Sequence, residues 1–396
     1  MSDYPVKELG NRTPLMYAKK PNMDFIARRG CHYGLCQTTV AGLPAGSDVA
    51  NLTVMGYDPK KYYHGRGPLE ALSMGIGLKP RDVAFRCNLI TVKDGRINDY
   101  SAGHVTTEEA GELIRYLDKM MGNQHTRFYP GISYRHLLVL NGDSASATCD
   151  PPHDFTGERV EEHLPRGEGS EKLTDMIRRS WALLESHPVN QKRVSEGKNP
   201  ANSIWLWGQG TTPDMPSFEE KYGLTGAVIS AVDLIKGIGA GAGLEVVDVP
   251  GATGYFDTDY GAKAEYALKV LEKKDFVFIH VEAPDEAGHE GMVREKIKAI
   301  EDIDRRIVGP MLEGMRGLGD FRIMVLPDHP TPLSIKTHAR DPVPYAIYDS
   351  RRHADNEKAY DEESMAGGLH IEHGHRLMDL FIKGSIEGQA HGPYKG

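Results

Sequence analysis

Short apolar, β-branched runs alternate with segments of helical period through the second half of this chain. Asp275 to Val281 (DFVFIHV) and Phe321 to Leu326 (FRIMVL) both read as strands, and each runs within three residues into a proline. Between them, Val293 to Val308 repeats isoleucine at 297, 300, 303 and 307, the spacing of one face of an amphipathic helix. Gly226 to Ser230 (GAVIS) is a further strand, and Leu244 to Val249 is another candidate. Strands alternating with helices of this length predict parallel βαβ units and an α/β sandwich. In open sheets of that kind ligands bind beyond the carboxyl ends of the strands. Two of these strands end within a few residues of Asp and His.

The pattern changes between residues 82 and 166. Ala84 to Val92 and Ser133 to Leu140 are strand-like, and Thr107 to Met121 is helical with Thr106 or Thr107 as its N-cap. A turn-rich tail, Cys149 to Gly157, follows. The expectation is a small α+β domain over 82–166, inserted into a larger α/β domain made of 1–81 and 167–396. Asn190 to Gly210, rich in Asn, Gly and Trp, is read as the return.

Bulk properties narrow the function. A chain of 396 residues buries a large core, and 39% hydrophobic with 26% charged residues is ordinary for a globular protein. No run approaches the roughly 18 apolar residues that span a bilayer. The first twenty residues hold no apolar core of a secretory signal. A net charge of −9 without basic runs argues against nucleic-acid binding. The four cysteines (31, 36, 87 and 149) lack zinc-type CxxC spacing. A cytoplasmic protein without nucleic-acid or membrane partners is expected.

Seventeen histidines and 44 glycines carry more. Asp285 and His289 are four apart, so a helix starting after the 275–281 strand puts both on one face. Asp328 and His329 are adjacent at a strand end, where a loop can turn both to one centre, and His338 follows nine residues later. Two carboxylates with three imidazoles suit Mn²⁺ or Zn²⁺ better than Mg²⁺ or Ca²⁺. Two such ions about 4 Å apart would clamp a phosphoryl group. Ser47, preceded by Gly46 at the start of an apparent helix, is a candidate nucleophile, and its alternative role is that of an N-cap.

These motifs together resemble the archaeal-type branch of cofactor-independent phosphoglycerate mutases, members of the alkaline phosphatase superfamily. The segments that carry the likeness are PAGSDVANLTVMGYDP (44–59), HGRGPLEA (64–71), DVAFRCNL (82–89), DYSAGH (99–104) and PANSIWLWGQG (200–210). KYGLTGAVISAVDLIKGIG (221–239), VPGATGY (249–255), HVEAPDEAGHEG (280–291) and LPDHPTP (326–332) continue it over essentially the whole chain. The resemblance implies an alkaline-phosphatase-like three-layer α/β/α sandwich. It implies transient phosphorylation of Ser47, one metal on Asp285, His289 and His338, and a second on Asp328, His329 and Ser47. Mn²⁺ is the first choice of ion, with Zn²⁺, Co²⁺ or Mg²⁺ as alternatives, and no 2,3-bisphosphoglycerate is needed. The substrate implied is a small phosphorylated molecule, phosphoglycerate.

In the family the inserted domain binds substrate and closes over the metal domain. Carboxylate and phosphate call for arginine forks and a lysine, so Arg66, Arg86, Arg135 and Lys236 are candidates, with His104 as a phosphate contact or acid/base. Apolar neighbours predict burial for Arg86 and Arg135. The family pattern also opens with a strand and a Gly-Asp-Gly turn whose Asp binds the second metal, and this sequence starts just after it. The expectation is an incomplete sheet, one ligand fewer and weak or no activity, with Asp3 not a substitute. A homoserine-kinase-like or other phosphotransferase on the same scaffold, and an inactive binding protein, are the rival readings.

Overall fold

The computed structural model describes residues 1–142, 146–352, 354–355 and 357–386. The chain forms two compact units, one of Met1–Tyr63 with Met215–Gly396, the other of His64–Asp214. Among the described residues the strands are β1 His32–Cys36, β2 Asp82–Lys93, β3 Arg96–Asp99, β4 Thr126–Ile132, β5 Arg135–Asn141 and β6 Ser203–Gly210. They continue with β7 Gly226–Ile229, β8 Glu245–Val246, β9 Phe276–Ile279, β10 Arg322–Val325, β11 Val343–Asp349 and β12 Leu369–Ile371. The helices that bear on the site or the cores are α1 Pro21–Arg29, α2 Ser47–Val54, α3 Arg66–Ser73, α4 Thr107–Met121 and α5 Ser170–Leu184. Beyond these come α6 Asp233–Gly241, α7 Tyr260–Leu271, α8 Ala283–Glu290 and α9 Val293–Ile303.

In the larger unit β7 pairs in parallel with β8 and β9. A second sheet runs β10-β11-β1-β12. Alternate residues of β11 feed opposite cores. Ala346 joins a cluster with Ile26, Tyr260, Ile300 and Ile303, while Tyr345 and Ile347 pack with Cys36, Ile371 and Leu377. The sheet is therefore covered on both faces, as the near-continuous apolar strands require. Among the described residues β9 pairs only with β7 and β10 only with β11. Residues Phe276–Val281 and Phe321–Asp328 line one cavity of about 690 Å³. The stretch expected as one helix, Val293 to Val308, is α-helical to Ile303 and then makes a π turn over Asp304–Val308. That turn has a purpose in packing: Asp304 accepts hydrogen bonds from the Asn22 and Met23 backbone and the Asn22 amide. These satisfy donors at the start of α1, whose N-cap Lys20 makes no side-chain cap. The strand expected over 244–249 shrinks to Glu245–Val246.

The smaller unit is built on β2, buried along all of its length but Lys93. It pairs antiparallel with β5 on one side, and with β6 and β3. One face packs on α4 and α5, through Leu113, Leu117, Leu173 and Ile177 against Phe85 and Leu138. Helix α4 starts where its sequence says it should, with Thr106 and Glu109 forming a capping box. The unit extends beyond the 82–166 read from sequence. Strand β6 is a partner of β2, and α5 covers the sheet, so the segment taken as a return belongs to the core of this unit.

Candidate metal centre and anion-binding residues

Strands β9 and β10 each release the chain into a segment that carries candidate ligands. After β9, α8 starts with Pro284 in its first turn, where a missing N–H costs nothing, and stops at Gly291 with φ +77°. Asp285 and His289 therefore lie one turn apart on one face, with His289 Nε2 3.1 Å from Asp285 Oδ2. After β10, the His329 backbone N–H donates to Asp328 Oδ1 at 2.9 Å, which turns the two adjacent side chains around a shared peptide. His338 closes the group, its Nε2 3.0 Å from His289 Nε2 and its ring centroid 3.9 Å from that of His329.

Ser47 is the first residue of α2. Gly46 occupies the N-cap with no side-chain cap, so the hydroxyl is not spent on capping. Its Oγ lies 2.9 Å from His329 Nε2. One turn on, Asn51 donates to Asp328 Oδ2 at 3.0 Å and to the Ser47 carbonyl at 2.9 Å. The His329 ring thus faces two ways. Its Nε2 looks at Ser47 and, at 3.3 Å, Asp328; its Nδ1 looks at Thr331 Oγ1 (3.3 Å) and Asp285 Oδ1 (3.9 Å). Thr331 Oγ1 also donates to Asp285 Oδ1.

The electrostatics follow from crowding buried acids with imidazoles. Burial alone would raise Asp285, but hydrogen bonds from His289 and His338 and the His329 charge outweigh it and hold the carboxyl well below its ordinary range. Asp328 is also held low, because His329 and His280 outweigh its burial. His289 rises to about 9, chiefly through its bond to Asp285. His329 is lowered by burial. Glu282, next to this group, is pushed well up by burial and then by the Asp285 and Asp328 charges. The buried α-amino group of Met1 falls to about 6, mainly through desolvation, with Asp328 and Asp285 opposing the fall.

Two carboxylates and three imidazoles with ring nitrogens turned inward are a donor set for borderline divalent cations. One carboxylate, Asp285, and the His329 and His338 nitrogens have ligand atoms within 4.8 Å of one another. His289 adjoins this group, its Nε2 3.1 Å from Asp285 Oδ2 and 3.0 Å from His338 Nε2, and Asp328 and Ser47 adjoin it on the His329 side, at 3.3 and 2.9 Å from its Nε2. Asp3 is not among them; its carboxylate sits 2.6 Å from Lys296 Nζ.

The other candidates separate. In the smaller unit Arg86 is buried, 4.3 Å over the Trp207 ring, with Nε 2.8 Å from Glu70 Oε1, and Arg66 lies 5.9 Å from the same ring. A line of aromatic rings runs from Trp207 through His153 and Tyr100 to Tyr134. Arg135 and His104 both lie against Tyr134. The burial expected of Arg135 is not seen: it opens β5 with its side chain exposed, whereas Arg86 sits mid-strand. Lys236, on α6 of the larger unit, forms an ion pair with Asp248 at 2.6 Å. Sequence reading passed over Asn51, Thr331, Trp207 and His153. Asn51 had a usable signal, its i+4 spacing from Ser47 in a helix; the others are defined by contacts distant in sequence.

The whole chain matches solved α/β structures. A protein from Pyrococcus horikoshii is similar with a TM-score of 0.80 at 30% identity, covering 99% of this chain and 97% of that one. A cofactor-independent phosphoglycerate mutase from Thermoplasma acidophilum is similar with a TM-score of 0.67 at 29% identity, over 97% and 96%. The fold is thus the alkaline-phosphatase-like α/β fold of that class of enzymes. A sequence model of 2,3-bisphosphoglycerate-independent phosphoglycerate mutase matches residues 27–190. Proteins carrying that name are 55% identical in Methanosarcina barkeri, over 97% of both chains, and 57% identical in Methanosarcina acetivorans, over 93% of both. The chain belongs to the 2,3-bisphosphoglycerate-independent phosphoglycerate mutase family.

Proposed function

We propose that this chain interconverts 3-phosphoglycerate and 2-phosphoglycerate through a phosphoserine at Ser47, in a site that holds two divalent ions, Mn²⁺ first. The observation that carries this reading is Ser47 Oγ, free of capping and 2.9 Å from His329 Nε2, inside the cluster of two carboxylates and three imidazoles. Divalent ions held there would stabilise phosphoryl oxygens and lower the pKa of a hydroxyl. Ser47 Oγ attacks phosphorus and gives up its proton, the P–O3 bond breaks, and O3 takes up a proton and leaves as the hydroxyl of glycerate. The glycerate stays bound, turns, and takes the phosphoryl group back on O2, which gives up its proton, as the P–Oγ bond breaks and Ser47 is reprotonated. Asn51 holds Asp328 and the first turn of α2 in register, which fixes the direction of Oγ. Arg66, Arg86, Arg135 and His104 of the smaller unit are the groups proposed to bind the substrate's anionic ends. Lys236 is the remaining candidate for an anion contact, if the Asp248 pair opens.

The test is ³¹P NMR of 3-phosphoglycerate with enzyme stripped by EDTA and then titrated with Mn²⁺, without 2,3-bisphosphoglycerate. Conversion to 2-phosphoglycerate should require the ion and fall at least about a thousandfold in Ser47→Ala. Full turnover by Ser47→Ala would refute the phosphoserine.

A further inference from the structure

A buried polar knot lies directly behind the metal cluster. Lys296, on α9, is fully buried, and α9 carries none of the candidate ligands. An ammonium has three donors, and three acceptors surround this one: Asp3 Oδ2 at 2.6 Å, the Thr331 carbonyl at 2.8 Å and the Ser2 carbonyl at 3.3 Å. The Asp3 carboxylate in turn accepts the Leu333 backbone N–H at 3.2 Å. Glu362 holds the other side, accepting from Ser2 Oγ and the Asp3 N–H. The Lys296–Asp3 pair thus grips the segment 331–333 at two backbone points, two residues beyond His329.

Thr331 is where this grip meets the ligands. Its carbonyl is held by Lys296, and the same oxygen would lie 2.3 Å from a Cβ placed on Gly288, so α8 rests on it without a side chain between. Its hydroxyl donates to Asp285 Oδ1 and lies 3.3 Å from His329 Nδ1. One residue therefore sets the spacing between α8, which carries Asp285 and His289, and the loop that carries His329.

A buried ion pair is a poor way to gain stability, since well-packed apolar side chains serve as well or better. Holding a backbone carbonyl and a backbone N–H at fixed points is something an apolar pair could not do. We infer that Lys296 and Asp3 are positioning residues of the metal centre, acting through Thr331 on Asp285 and His329. The inference rests on the reading of that cluster as a metal centre. Groups behind a ligand typically change metal affinity 10- to 100-fold when removed.

The experiment is calorimetric titration of Mn²⁺ into the EDTA-stripped full chain, alongside thermal melting without metal. Lys296→Met, Asp3→Asn and Thr331→Val should each weaken Mn²⁺ binding about 10- to 100-fold. Ile300→Ala, a core truncation on the same helix, is the control: it should lower the melting temperature and leave Mn²⁺ affinity within about twofold. Should Lys296→Met fail to fold, Asp3→Asn, which keeps the side chain's shape and removes the charge facing Lys296, decides, with Thr331→Val testing the link from Thr331 to Asp285. Wild-type affinity in Thr331→Val and Asp3→Asn, or an equal loss in Ile300→Ala, overturns the inference while the metal centre stands. Absence of Mn²⁺ binding by the wild type would instead remove the metal reading itself.

Discussion

Gly288 lies between Asp285 and His289 on α8, and replacing it with alanine separates geometry from stability. The added Cβ would stand 2.3 Å from the Thr331 carbonyl oxygen and 2.9 Å from its Cγ2. Contact with backbone at under 3.0 Å is not relieved by a rotamer change, so helix and loop must part by roughly 0.7 Å. Two effects on stability oppose each other. Alanine in a helix gains up to about 1 kcal/mol over glycine, while overpacking costs about 1–3 kcal/mol. The net destabilisation is about 0–2 kcal/mol, which moves the melting temperature of a large domain by a few degrees at most. The same displacement exceeds the roughly 0.5 Å within which a ligand constellation works. Gly288→Ala should therefore keep most of its apo stability and lose Mn²⁺ affinity by about tenfold or more, read by calorimetry and by melting in EDTA. Unchanged Mn²⁺ affinity would show that the α8–Thr331 spacing does not set the site.

Three further outcomes follow from the same structure. The His136 Nδ1 accepts the Gly131 N–H at 2.9 Å, and burial, with the Arg135 charge, lowers its pKa from 6.5 to about 3. A base with a depressed folded pKa leaves the unfolded chain holding more protons, so its stability contribution is full above pH 6.5 and is lost as pH falls towards 3. The loss totals about 4–5 kcal/mol, and His136→Gln should flatten the acid limb of unfolding; an identical acid profile contradicts this. His289, raised to about 9 by Asp285, favours the folded apo form below pH 6.5 and loses that contribution as pH rises through about 9. Because a metal must displace the same proton, Mn²⁺ affinity should climb with pH up to that value, with proton release that fades above it; a pH-independent affinity would argue against His289 as a ligand. Arg193, buried, donates to Glu109, the Ala102 carbonyl and the Asn199 carbonyl. Arg193→Ala should destabilise the protein by about 3 kcal/mol through the orphaned partners, without changing Mn²⁺ affinity; denaturant unfolding checks the first and calorimetry the second.

The sequence made legible what local rules control. Thr106 marked the start of α4, the isoleucine period marked α9, and acidic and histidine residues just past two strands pointed to the segments whose Asp and His side chains cluster. It did not show that β6 belongs with β2, because Arg86 and Trp207 pair across more than a hundred residues. Nor did it show the π turn, whose reason is a cap that Asp304 provides for a helix nearly 300 residues earlier. Lys296, on α9, is fully buried. Its burial depends on Ser2, Asp3 and Thr331, which come from both ends of the unit and carry no local signature. For Arg135, apolar neighbours suggested burial, but it is the first residue of β5, just after the turn at Ser133 and Tyr134, and stays exposed.

The central claim is that Ser47 carries the phosphoryl group between the two hydroxyls of glycerate. Rapid acid quench of the Mn²⁺-loaded chain mixed with 3-phosphoglycerate, followed by peptide mass spectrometry, tests it directly. The account predicts a phosphate on the peptide containing Ser47, formed within one turnover, dependent on the ion and absent from Ser47→Ala. Turnover of 3-phosphoglycerate to 2-phosphoglycerate with no phosphate on that peptide at any quench time would contradict it.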